Sequence, residues 1–368
     1  MTKLLIATTI PATIKSFLLP YADYFRAKGW RVGAMSNGAA KDEALAGHFD
    51  ELINASWTRN PSDSGNFNAP PLIRDAVLSG GYDIVHVHTP VAAFLTRFAL
   101  RGARAAGKIK IVYTAHGFHF HRGGGKFKNK IYSTPERMAG RWTDRLIVIN
   151  RDDFDAAEKL NIAGEKQLRY MPGIGLDFSK YDPANVSGRD IAKVRGELDL
   201  LGDDILYTMA AEFNPGKRHR DAIEALAMTK RANIHIAFAG DGPLVPRMKE
   251  LAGNLGVSLQ IRFLGFRNDL NRIVMASRAS LLASEREGLP RSLMESACLG
   301  IPIIGADARG ISDVVTPERG ILYPAGDTLA LRDAMLRFAE EPPKTIKPDP
   351  AWRIENLISM HEELYGEL

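Results

Sequence analysis

Short apolar runs alternate along this chain with longer stretches whose apolar residues recur every three to four positions. In the first half the runs fall at residues 4–7, 31–35, 84–88, 111–114, 145–149 and 168–171. In the second half they fall at 205–210, 234–239, 261–264, 279–283, 301–304 and 320–323. Between them the spacing predicts amphipathic helices over 17–28, 90–101, 221–230, 269–276, 290–299, 328–340 and 352–368, and Asn150 opens one more. Strands and helices in strict alternation predict an α/β fold, a parallel sheet with helices on both faces. Pro172-Gly173-Ile174-Gly175 interrupts the alternation with turn residues, and the linker between two domains is expected there.

A chain of 368 residues exceeds one ordinary core and suits two domains. Its hydrophobic content, 45%, is that of a globular protein. A net charge of +5 favours an anionic partner: nucleotide phosphates, an anionic membrane face or nucleic acid. No zinc-ligand spacing, helix-turn-helix pattern or aromatic-plus-basic motif supports nucleic acid, so no nucleic-acid partner is expected. The lone Cys298 can form no internal disulfide, which fits a reducing cytoplasm, and its expected role is that of a small buried apolar residue. The start, MTKLLIATTI, reads as a first strand and not as a signal peptide. No run approaches the ~20 apolar residues of a transmembrane helix.

The stretch 281–305, LLASEREGLPRSLMESACLGIPIIG, organises the second half. A buried strand leads into the polar loop Ser284-Glu285-Arg286-Glu287-Gly288, and Pro290 supplies a fixed φ where a helix can begin. Gly300 suits the position after the last turn, with Pro302 as a stop. The first N–H groups of such a helix lack partners and form an anion site. Glu287 and Glu295 bracket it, and carboxylates beside a phosphate site are better suited to accepting sugar or ribose O–H groups than to meeting the phosphate. The plainer reading makes both solvated surface residues.

These residues resemble the Glu-x7-Glu signature of retaining glycosyltransferases of the GT-B fold, which have two Rossmann-like domains facing a central cleft. The resemblance implies an acceptor-binding domain of residues 1–172 completed by a C-terminal helix, 351–368, that returns to it. Residues 173–350 would form the nucleotide-sugar domain. Carried over, Glu287 faces the donor sugar's hydroxyls, and the backbone of Gly288, Leu289 and Pro290 runs along sugar and phosphates. Arg291 marks the positive tip of the helix, and Glu295 takes the ribose hydroxyls.

The segment 211–218, AEFNPGKR, occupies the place of the family's diphosphate-holding motif. Lys217 matches its Lys, but Glu212 stands where the family has Arg; Arg218 or Arg220 is the candidate substitute. Gly240 and Gly242 are similar to the family's Gly-x-Gly loop, and Phe266 and Arg267 would lie by the base. His116, in Tyr113-Thr114-Ala115-His116-Gly117, looks like the active-site His that contacts the donor sugar. His119 and His121 follow it, but no second cluster of metal ligands does, and no metal or cofactor beyond the sugar nucleotide is expected. His86 and His88 read as core or cleft-edge histidines. The usual Gly-Gly loop after the first strand is replaced by residues 8–14, TTIPATI. That departure, with the F-L-x-P, H-x-H-T-P and Y-T-A-H-G-F-H-F patterns, resembles the capsule and exopolysaccharide-assembly subgroup.

Residues 122–145 read as a basic loop carrying Arg122, Lys126, Lys128, Lys130, Arg137, Arg141 and Arg145, interleaved with Phe127, Ile131, Tyr132 and Trp142. It is either a solvated helix face or a dock on an anionic membrane, the latter placing the protein on the inner face of the cell membrane. The expected activity is metal-independent, retaining transfer of a hexose or N-acetylhexosamine from a UDP-sugar to a glycolipid or saccharide acceptor. Two rivals are a UDP-N-acetylglucosamine 2-epimerase-like enzyme and a non-catalytic nucleotide-binding subunit, the latter favoured only by Glu212.

Overall fold

The structure is a computed structural model and describes residues 1–121 and 123–368, so Arg122 of the basic segment lies outside the described residues. The chain divides into two compact units, Met1–Gly175 with Ile354–Leu368, and Leu176–Arg353. The first contains seven strands: β1 (Lys3–Ala7), β2 (Arg31–Ser36), β3 (Glu51–Asn54), β4 (Ile84–Val87), β5 (Lys110–Ala115), β6 (Arg145–Val148) and β7 (Leu168–Tyr170). All pair in parallel, in the order β3-β2-β1-β4-β5-β6-β7. Side chains alternate across a strand, so Leu5 and Ala7 enter one buried cluster while Leu4 and Ile6 enter the other. The C-terminal helix Ile354–Gly366 covers the second face, burying Leu357, Ile358, Leu364 and Tyr365 in the cluster that holds Leu4, Ile6 and Phe25.

The second unit has six parallel strands: β8 (Ile205–Ala210), β9 (Ile234–Ala239), β10 (Ile261–Gly265), β11 (Ala279–Leu282), β12 (Ile303–Asp307) and β13 (Gly320–Pro324). Their order is β10-β9-β8-β11-β12-β13. In both units the first three strands of the unit run outward to one edge and the later strands to the other. The order therefore reverses beside the first strand, at β1/β4 and at β8/β11, where open α/β sheets bind ligands beyond the strand C-termini.

Several elements depart from the sequence reading. The helix expected at 17–28 is two, Pro11–Phe17 and Leu19–Ala27, each with a proline in its first turn. Residues 8–14 are therefore mostly helix and not an open loop. Pro11 and Pro20 have no N–H to donate and sit where none is needed, which sets the two starts and parts the helices at Leu18. The basic segment is not a loop either: Lys126–Gly140 is helical, with Pro135 inside it. The half-exposed edge strand β3 and the helices Ala69–Gly80, Gly188–Glu197 and Val245–Asn254 are further elements that the sequence reading did not include. Among the described residues no helix is long and apolar enough to cross a membrane.

Candidate active site

The four loops singled out in the second half leave the C-terminal ends of β8, β9, β10 and β11, and backbone bonds stitch them together. Phe213 N–H donates to Asp241 O at 2.8 Å, and Gly240 N–H donates to Gly265 O at 2.8 Å. Glu285 N–H donates to Gly216 O at 2.9 Å, tying the loop after β11 to the one after β8. The glycines at 240 and 242 have φ of +151° and +152°. A Cβ at either would lie 2.1 Å from Ala211 O or 2.6 Å from Phe213 O, so only glycine lets these loops touch.

Lys217 and Glu287 are brought together. Lys217 Nζ donates to Glu287 Oε1 at 2.5 Å, with 25% and 13% of the two side chains exposed. The pair sits at the β8/β11 reversal, on the short 3-10 turn Pro215–Lys217 and on the loop before the helix Arg291–Cys298. Pro290 is the residue that caps this helix, one position earlier than the first helical turn where it was expected. Gly288, Leu289 and Arg291 are half-buried and Pro290 is buried, so the run from Glu287 to the helix start is only partly open to solvent. Glu295 accepts at Oε1 from Tyr181 Oη at 2.6 Å and from Arg291 Nε at 2.8 Å.

The other candidate cations are engaged elsewhere. Arg218, at a left-handed φ of +53°, donates from Nε to Asp221 Oδ2 at 2.6 Å and pairs with Glu285 at 3.2 Å. Arg220 pairs with Glu224 one turn along its helix. Glu212 is exposed and accepts from Asn214 Nδ2. Arg267 is clamped between Asp269 and Glu197, which leaves its backbone as the group available to a base, and the Phe266 ring beside it is 81% exposed.

One residue the sequence reading passed over is Arg309, on the loop after β12. Its carbonyl accepts from Glu287 N–H at 2.9 Å, and its Nε donates to Glu287 O at 3.1 Å. Gly310 beside it has φ +76°, and a Cβ there would sit 2.3 Å from Gly288 O. The loop carrying Glu287 is thus held from below by a fifth strand end. Arg309 lies two residues past the end of β12, a strand-end position like those of the other four loops.

In the first unit His116 follows β5, and its Nε2 lies 3.2 Å from His88 Nδ1, at the end of β4. The His88 ring stacks on His86 at 4.1 Å, and His86 stacks on His361 of the C-terminal helix at 5.6 Å. His86 is held between Tyr365 Oη at 2.5 Å and Thr114 Oγ1 at 2.7 Å. Burial, reinforced by the neighbouring imidazoles, holds His86 and His88 well below the ordinary histidine pKa. The same causes push His116 down to about 4, and burial alone does so for His361. His116 is therefore an uncharged imidazole at neutral pH. His119 is exposed against the Tyr132 ring. Among the described residues no three His, Cys, Asp or Glu side chains are grouped to hold a metal ion. Cys298 is buried, and burial pushes its thiol up to about 12, an inert packing residue.

Residues 17–170 match the family model of Glycosyltransferase Family 4, and residues 190–351 match that of Glycosyl transferases group 1. Over 343 residues the chain is 32% identical to the putative glycosyltransferase EpsD of Bacillus subtilis (strain 168), covering 92% of this chain and 88% of that protein. The chain belongs to the group 1 glycosyltransferases. This glycosyltransferase is also 29% identical, over 71% of its length and 67% of the relative's, to UDP-Gal:alpha-D-GlcNAc-diphosphoundecaprenol alpha-1,3-galactosyltransferase of Escherichia coli. Among solved structures it resembles Anabaena Alr3699/HepE in complex with UDP, with a TM-score of 0.82 over 100% of both chains at 21% identity. That likeness establishes the fold, the GT-B arrangement of two Rossmann-like domains.

Proposed function

We propose that this glycosyltransferase moves a hexose or N-acetylhexosamine from a UDP-sugar to a lipid-linked or polysaccharide-precursor acceptor, keeping the anomeric configuration. The observation that carries the reading is the Lys217–Glu287 pair at the β8/β11 reversal, beside the start of the helix Arg291–Cys298. A cation and a helix N-terminus suit the departing diphosphate, and a carboxylate fixed beside them suits the sugar's hydroxyls. Charge developing on the leaving group is met by groups already in place, without a divalent ion. The leaving diphosphate takes the acceptor's proton on the face it departs from, so the new bond forms there. Glu295 receives the ribose hydroxyls, and His116 offers an uncharged imidazole for hydrogen bonding.

The UDP-sugar and the lipid-linked acceptor are supported by relatives: the E. coli enzyme is named for UDP-Gal and a diphosphoundecaprenol acceptor, and Alr3699/HepE is described with UDP-glucose. An exopolysaccharide-assembly role is in keeping with the likeness to EpsD. Family membership disfavours the epimerase, and the intact Lys217–Glu287 pair disfavours a silent subunit. Thermal shift with a panel of UDP-, GDP- and TDP-sugars is expected to show stabilisation by a UDP-sugar, since binding raises apparent stability. Product NMR should then show retention. Stabilisation by another nucleotide alone, an inverted product, or epimerisation without acceptor would reject the reading.

The helix Lys126–Gly140 supports contact with an anionic membrane from the cytoplasmic side. Its outer face carries Phe127, 80% exposed, then Ile131 and Met138 along one stripe, with Lys126, Lys128, Lys130 and Arg137 around them. The inner face is anchored by Glu136, which accepts from the buried Arg97 at 2.8 Å. Vesicles containing phosphatidylglycerol should sediment the wild type, and replacing the three lysines with Glu should release it, at roughly 1 kcal/mol per basic residue. Equal sedimentation with phosphatidylcholine vesicles would remove the electrostatic part of this reading.

A further inference from the structure

We propose that Tyr181 is a positioning residue for Glu295 and sets how strictly the site demands the ribose hydroxyls of its nucleotide; this rests on the assignment of Glu295 to the ribose. Tyr181 lies in the segment that opens the second unit, 114 residues before its partner. It is 9% exposed and belongs to the unit's main core cluster, so its ring is fixed by packing. Its hydroxyl and Arg291 Nε both bond Glu295 Oε1, at 2.6 and 2.8 Å. A carboxylate offers about four acceptor positions over its two oxygens. With both donors on Oε1, Oε2 is the oxygen turned over to a ligand, and its two lone pairs match two neighbouring hydroxyls.

Arg291 alone would be a poor anchor. It is an i,i+4 partner on the same helix with 34% of its side chain exposed, the kind of pair that fixes little. Tyr181 approaches from a different element, so the two donors restrain the carboxylate from different parts of the unit. Burial, then the nearby Glu295 charge, raises the phenol's pKa, so Tyr181 stays protonated and donates throughout the physiological range.

The test compares UDP with 2′,3′-dideoxy-UDP by calorimetry on wild type, Tyr181→Phe and Glu295→Ala. Wild type is expected to prefer UDP by at least about tenfold, as sites built to bond a hydroxyl reject its absence. Glu295→Ala should lose that preference. Tyr181→Phe should bind the dideoxy nucleotide within about twofold of wild type but reduce the preference roughly three- to tenfold, the scale of one ordinary net hydrogen bond. If wild type shows no preference, or Glu295→Ala keeps it, the ribose assignment fails and the proposal with it. If that assignment stands while Tyr181→Phe retains the full preference, Tyr181 is not positioning Glu295. If Tyr181→Phe loses dideoxy affinity together with melting temperature, its role is packing and the proposal is overturned.

Discussion

Replacing Glu287 or Lys217 with Ala is expected to all but abolish sugar transfer while the fold survives. Each removes one side of the 2.5 Å pair at the β8/β11 reversal. Losing a preorganised charge where charge develops costs about 10²–10³ in kcat, and without Lys217 the carboxylate also loses the partner that aims it. Because the pair is mostly buried, each truncation should cost stability between the roughly 0–1 kcal/mol of an exposed pair and the roughly 3–5 kcal/mol of a buried one that loses a partner. Single-turnover rates with unchanged circular dichroism check this. A Lys217→Ala variant that turns over like wild type would remove the lysine from the mechanism, and Glu287→Gln separates the carboxylate's charge from its shape.

Acid should unfold the first unit well before the carboxylates titrate. His86, His88 and His361 are each no more than 5% exposed, and the folded state holds their pKa values below the ordinary 6.5. The unfolded chain binds protons at these sites near pH 6.5 while the folded one does not, so the unfolded state gains protons as pH falls. Stability contributed by the neutral rings is present above pH 6.5 and is lost as pH drops toward 4. The slope is on the order of 1.4 kcal/mol per pH unit for each histidine within its window. Three of them act together on a unit whose stability is expected at about 5–15 kcal/mol. The melting temperature should be level above pH 7 and fall steeply between 6.5 and 5, and His86→Phe should flatten that fall. A level curve down to pH 5 would mean the cluster accepts protons without opening.

Much of this was legible in the chain. The strand runs at 205–210, 234–239 and 279–283 lie within a residue or so of the observed β8, β9 and β11, because buried strands of a parallel sheet are local apolar runs bounded by turn residues. The loops bearing Lys217, Gly240 and Glu287 could be found because they follow those runs directly. The weak edge strand β3 could not, since half of its pattern is polar. The basic segment, read as a loop with a solvated helix face as its plainer explanation, is helical over Lys126–Gly140. Arg309 stands just past β12, where the strand-end rule could have marked it, but its bonds to Glu287, 22 residues away, depend on packing.

By itself the sequence determined the alternation of elements, the two-unit architecture and which loops stand at strand ends, all of them matters of period and turn chemistry over a few residues. Only the tertiary structure decided which charges answer one another. Lys217 meets Glu287 across 70 residues because the strand order sets β8 beside β11. Tyr181 meets Glu295 across 114, while Arg218 and Arg267 are drawn off to other carboxylates. A hydrogen bond depends on atoms being about 3 Å apart, and for residues this distant in sequence that separation is set by packing alone.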